Sequence, residues 1–399
     1  MTSTLVSSAE AGTRPPRGGS TGRLTALDGL RGLAAIVVLL HHTLLALEPH
    51  LKPRGEVTPA SIWWWLEQTP LKILTAGGEA VVLFFVLSGL VVALPALRGR
   101  DFDWAGFLAS RFVRILVPAW GALALAVGLI LLVPRDPARV ASGWLVDNNA
   151  STVSLEQLAK EATLSVYSFQ IDNVLWSLRW ELIFAVLLPV FLLAARALRR
   201  VWFPAAVATA ALSFAGFAMV DGTLSYLPAF FLGTLMAVNL DRIREAGSAV
   251  SARRWFPYVW PIVIGAAVLG IVATWLIRPV VPDAADVSRG FSVLGSVALI
   301  AAAIVVPPVA RALSGRLCAW LGRISFSLYL VHVPVLVAVA YLVGDSRWAL
   351  IAPIAIPLSL FISVLFFRWV EKPSHTLARR TGRWIAAVAD VRAGRRLVS

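Results

Sequence analysis

Residues 28–42 read DGLRGLAAIVVLLHH. An aspartate and an arginine lead into nine apolar or glycine residues, and His41 and His42 close the run. At about 3.6 residues per turn, Arg31 and His42 lie close to three whole turns apart and share one helix face. Asp28 falls near that face, while His41 points about 100° away. The rise from Arg31 to His42 is about 16 Å, roughly half of a bilayer's hydrocarbon core. The stretch therefore reads as a membrane helix with a cation at one edge and an imidazole deep inside.

The rest of the chain has the same character. It is 58% hydrophobic and 15% charged, against about 25% charged in soluble domains. Its mean hydropathy is +0.78. A net charge of +14 does not call for nucleic acid here, because Lys and Arg collect in the cytoplasmic loops of membrane proteins. Cys318 is the single cysteine, and the five histidines show no HxxxH or HExxH spacing, so neither a disulfide framework nor a metal site is expected.

A crossing helix needs roughly 20 apolar residues. Ten runs qualify, near 29–48, 79–97, 115–133, 176–195, 201–220, 222–240, 255–277, 290–310, 324–344 and 348–367. With the N-terminus inside, 26 of the 36 Lys and Arg fall on the cytoplasmic side, as the positive-inside rule requires. The expectation is an all-α polytopic protein of about ten transmembrane helices with both termini cytoplasmic. Residues 1–27 read as a disordered tail, 28–375 as the membrane domain and 376–399 as a basic tail. No cleavable signal precedes the first run, which reads as an anchor in the plasma (inner) membrane. The longest outer segment, 134–175, contains DNNASTVSLEQLAKEATL, a candidate lid helix. Trp63, Trp64 and Trp65 of the first outer loop suit either interfacial anchoring or a wall for an acyl chain or acceptor.

Ionisable groups inside a membrane are costly and mark function by default. Each candidate also has a plainer reading. Arg31 could be a positive-inside flank, and His42 a helix–helix hydrogen bond. In NVLWSLRWELIFAVLLPV the uncharged run is short, which draws Arg179 and Glu181 into the outer part of the membrane. Glu181 there needs an ion-pair partner, a proton or a water-filled cavity. Arg111 and Arg114, at i and i+3 in RFVRILVPAW, suit phosphate oxygens or simply flank the third span. In ISFSLYLVHVPVL, Ser325, Tyr329 and His332 form a stripe able to carry hydrogen bonds through the bundle. Together these groups fit an enzyme that uses a phosphorylated cytoplasmic donor, or a proton-coupled transporter.

The motifs then resemble, in order, those of acyltransferase family three, integral-membrane O-acyltransferases of bacterial cell-surface sugars, glycans and macrolides. LDGLRGLAAIVVLLHH is similar to the family's Arg-x10-His signature at Arg31 and His42. GGEAVVLFFVLSGLVV, ASRFVRILVPAW, LWSLRWELIFAVLLP, ISFSLYLVHVPVL and RWVEKP match the later ones, the last two giving His332 and Glu371. One departure is Ser110, where many members carry a second arginine. The resemblance implies O-acylation of a sugar or glycan hydroxyl from cytoplasmic acyl-coenzyme A, with no bound cofactor. It also implies Arg31, Arg111 and Arg114 as donor ligands, His42 as general base and Glu181 as an orienting group. His332 and Glu371 are then supporting residues, with Asp28, Ser325 and Tyr329. Family members with a C-terminal hydrolase-like domain are longer, so the chain reads as a stand-alone membrane module that a separate partner protein could complete.

Overall fold

The computed structural model describes residues 21–98, 102–165 and 169–392. Ten long helices cover the ten apolar runs: α1 Thr21–Leu51, α2 Gly77–Leu97, α3 Trp104–Leu132, α4 Trp176–Ala197, α5 Trp202–Ala218, α6 Gly222–Val238, α7 Phe256–Ile277, α8 Gly290–Val305, α9 Arg316–Val343 and α10 Ile351–Phe366. No strand occurs among the described residues. By length and apolar composition, eight helical stretches can cross a membrane, or nine if α6 and the helix Leu240–Ser251, bent by 71°, are taken together. One of the eight, Asn173–Ala218, is 46 residues long, about twice what one crossing needs. It holds both α4 and α5, which reconciles the ten runs with the stretch count.

Three boundaries move. Helix α1 begins at Thr21, ahead of the expected Asp28, and Ala26 and Leu27 are buried in the bundle. Residues 1–20 and 393–399 lie outside the described residues. Helix α3 begins at Trp104 instead of 115, where Asp103 caps it by accepting from Gly106 N at 2.9 Å. Helix α10 runs through a π-helical turn, Phe367–Glu371, into a further helix α11, Lys372–Arg392, so the basic segment from 376 to 392 is helical.

Helix α9 is the axis of the bundle. Every residue from Ser327 to Tyr341 is buried, as expected of a helix that is apolar all round. Its most extensive partner is α1, and glycines set how closely they approach. A Cβ on Gly29 would lie 3.1 Å from the Cys318 Cβ, and one on Gly32 2.5 Å from Gly322 N. One on Gly322 would lie 2.3 Å from the Asp28 carbonyl oxygen. Small residues at such crossings let backbones touch. This contact aligns the Arg31–His42 face of α1 with the Ser325–His332 face of α9.

The outer segment carries the helix Leu155–Ala162 anticipated from its sequence, together with Gly143–Asp147 and the single turn Asn173–Leu175. In the first outer loop, Trp63–Trp65 lie on the helix Ile62–Glu67; Trp63 is buried and Trp65 exposed.

Candidate active site

Helices α1, α2, α3, α4 and α9 and the π-helical turn enclose a cavity of about 570 Å³. Arg31, Arg111, Arg114 and Arg323 line it, facing Asp28, Glu181 and Glu371. A smaller recess lined by Ser177, Tyr329, Phe84 and Glu181 continues inward from it. The arginines that the sequence offers as an anion site thus line a single cavity.

Within it the arginines are held differently. Arg111 donates to Glu181 Oε2 at 2.8 Å and approaches Ser88 Oγ at 3.4 Å, and its Nε is buried without a partner. Arg31 sits 3.8 Å from Asp28. Arg114 makes no hydrogen bond or ion pair among the described residues and is exposed to the cavity. Glu371, at the end of the π-helical turn, accepts from the Ser327 backbone N–H at 3.1 Å and from the Ser327 hydroxyl. π-Turns within α-helices recur at functional positions. Arg323 and His375 also line the cavity. Sequence reading counted Arg323 only as loop charge, and its place on α9, two residues before Ser325, was the available signal.

Glu181 is a correction. Its apolar run suggests an outer position, yet it pairs with Arg111, which the sequence places at the opposite end of its span. The outer segment dips into the bundle before α4 begins: Phe169, Ile171, Asp172, Val174 and Leu175 are all buried. The buried Glu161 carboxylate fixes this dip. It accepts the backbone N–H groups of Gln170 at 2.8 Å, Ile171 at 2.9 Å and Asp172 at 3.1 Å. Asp172 is wholly buried, and its carboxyl oxygens make no hydrogen bond of full geometry among the described residues. Burial, and then the nearby Glu161 charge, push its carboxyl well above the usual range.

Beyond the recess stand the two deep histidines. His332 Nδ1 lies 2.9 Å from the Leu328 carbonyl oxygen, and its Nε2 lies 3.0 Å from His42 Nδ1. His42 Nδ1 is also 3.0 Å from the Val38 carbonyl oxygen. The Trp144 ring tilts over His42 at 5.2 Å between centroids. Trp144 belongs to Gly143–Asp147, and the preceding Ser142 donates to the Leu45 carbonyl at 2.9 Å. His41 turns aside, as its spacing predicts, to the Thr75 carbonyl at 2.9 Å. The Ser325–Tyr329–His332 stripe does not form one chain. Ser325 bonds within its own helix to Gly322 O at 2.9 Å, and Tyr329 pairs with Ser177 Oγ at 2.8 Å. The Tyr329 and His332 rings are 6.0 Å apart. Glu181 makes no hydrogen bond or ion pair with either deep histidine among the described residues; its partner is Arg111.

A second charged group escaped the sequence reading on the outer side. Lys72 is buried against the Trp275 ring, 3.6 Å from its centroid, and ion-pairs with Glu67. Trp275 Nε1 donates to Glu79 at 2.9 Å. Glu79, an acid at the head of an apolar run, was the visible clue. No group of three or more potential metal ligands occurs among the described residues.

Ten apolar helices around a cationic cavity, with a histidine pair beyond it, define a polytopic membrane protein with an ionisable site inside the bundle. A family model described as an acyltransferase domain matches residues 24–368, and the chain belongs to that family, acyltransferase family 3. It is 24% identical over 387 residues to the O-acetyltransferase PaAT-1 of Phomopsis amygdali, covering 82% of this chain and 74% of that one. It is 29% identical over 301 residues to the acyltransferase MdmB of Streptomyces mycarofaciens, covering 74% of this chain and 67% of that one. No solved structure matches.

Proposed function

We propose that this membrane acyltransferase takes its acyl group from cytoplasmic acyl-coenzyme A and transfers it to a hydroxyl of a sugar, glycan or glycosylated small molecule. The observation that carries the reading is the cationic cavity of Arg31, Arg111, Arg114 and Arg323, with the His42–His332 pair about three helical turns further along α1. Guanidinium forks suit the phosphates of coenzyme A. From Arg31 to His42 is about 16 Å of helix, a distance for the donor's thioester arm to cover through the recess. At the far end, His42 takes the proton of the attacking hydroxyl as its oxygen bonds to the thioester carbonyl. The carbon–sulfur bond then breaks, the ester remains on the acceptor, and His42 returns the proton to the leaving thiolate. The name of one relative, the O-acetyltransferase PaAT-1, supports acetyl as the group moved and oxygen as its destination.

The test is purified protein incubated with acetyl-coenzyme A and a panel of glycosides. The expected result is thiol release that requires acceptor and disappears in His42→Ala. Thiol release by His42→Ala at the wild-type rate would remove His42 from the chemistry. Acceptor acetylated from another donor, with acetyl-coenzyme A inert, would remove the donor assignment.

A further inference from the structure

The hydrogen bonds around the two deep histidines determine which ring nitrogens carry protons. A backbone carbonyl oxygen can only accept. Leu328 O, 2.9 Å from His332 Nδ1, therefore requires a proton on that nitrogen. In neutral His332 the remaining nitrogen, Nε2, then holds a lone pair. Val38 O, 3.0 Å from His42 Nδ1, requires a proton there for the same reason. That N–H also faces His332 Nε2 at 3.0 Å, donor to acceptor. The second nitrogen of His42, Nε2, has no hydrogen-bond partner among the described residues. His42 as a residue keeps partial exposure, so it is not sealed on every side.

From this arrangement we infer that His332 is the positioning residue for His42: it holds the ring with Nδ1 protonated and Nε2 presented as the free base. The inference rests on the base role proposed above for His42. In this tautomer the acceptor's proton goes to Nε2, giving an imidazolium. The Nδ1–H of that imidazolium continues to donate to the lone pair on His332 Nε2, which spreads the charge without a buried acid. The proton leaves Nε2 with the thiolate, and both rings return to their starting state. A base whose second nitrogen is oriented by another group is the arrangement of hydrolase triads, where that group is a carboxylate. A carboxylate at residue 332 would form a lasting ion pair with the imidazolium. A neutral imidazole steadies the charge only while it exists. Glu181, the orienting group suggested by the sequence, is engaged by Arg111 at 2.8 Å.

The experiment compares His332→Ala and His332→Gln, with kcat and KM measured for both substrates on protein shown to be monodisperse. Loss of an orienting partner costs roughly 10–100-fold at metal-bound histidines and more in hydrolase triads. Accordingly, His332→Ala should lower kcat by about 100-fold while both KM values stay within about twofold. The side-chain oxygen of His332→Gln can accept the Nδ1–H, and should recover about tenfold of that loss. If His332→Ala does not fold, His332→Gln against His332→Leu makes the same comparison. A kcat unchanged in His332→Ala, or a Gln variant no faster than the Ala or Leu one, overturns the inference. The His42→Ala control separates the two levels. An active His42→Ala fails the base reading itself, whereas an inactive one beside an unaffected His332→Ala fails only the positioning role.

Discussion

Arg111 and Arg114 are neighbours on one turn with different situations. Arg111 is tied to Glu181 at 2.8 Å, both side chains mostly buried. Removing one member of such a pair leaves the other charge uncompensated, at a cost of about 3–5 kcal/mol. Arg114 has no such tie and faces the cavity. Substituting Arg114→Gln should therefore raise the donor KM by about tenfold, the worth of a lost charge-assisted hydrogen bond, and leave the acceptor KM and the melting temperature nearly unchanged. Arg111→Gln should lower the melting temperature as well. Steady-state kinetics and thermal unfolding in detergent check both statements. Equal effects on donor and acceptor would show that the arginines do not discriminate phosphate.

Among elements, the α1–α9 crossing governs the site, because it sets the distance between His42 and His332. With Gly322 against the Asp28 carbonyl, a larger side chain has no space. Gly322→Val should separate the helices, destabilise the protein by about 1–3 kcal/mol and lower kcat more than it changes either KM. Equal activity at equal melting temperature would contradict the close approach. Helices were the legible part of this chain, because a lipid-spanning helix must be written as a long apolar run. His42 and Arg31 were legible too, since they share one helix and its period fixes their faces. Spacing along one helix says nothing about a partner on another, so the Arg111–Glu181 pair was not. Glu181 was misplaced for a related reason. Hydropathy assumes that a helix starts at the membrane surface, whereas α4 follows a segment packed into the bundle and held by Glu161. The role of Glu161 depends on backbone N–H groups ten residues away, which no periodicity records.

For the molecule as a whole, that buried dip makes stability depend on pH. Folding raises the Asp172 carboxyl well above its ordinary value, so between the two values the folded chain holds a proton that the unfolded chain has released. Stability therefore falls as pH rises from the ordinary carboxyl range, near 4, toward the raised value. Asp172→Asn cannot lose a proton and should lack this slope. Melting temperatures of the two proteins measured from pH 4 to pH 8 should diverge steadily in favour of the variant. Parallel curves would mean that Asp172 is ionised in the folded state.

The two histidines that meet at 3.0 Å are 290 residues apart in the chain, and their helices are the first and ninth to be made. At roughly 5–20 residues per second, the ribosome needs about 15–60 s to deliver the second after the first. Throughout that interval α1 waits in the bilayer with its imidazole unpartnered, and α9, the axis around which the others pack, is missing. A nascent or truncated chain therefore lacks both the His42–His332 contact and the α9 wall of the cationic cavity. Whatever chemistry the finished bundle performs therefore becomes possible late in synthesis and all at once.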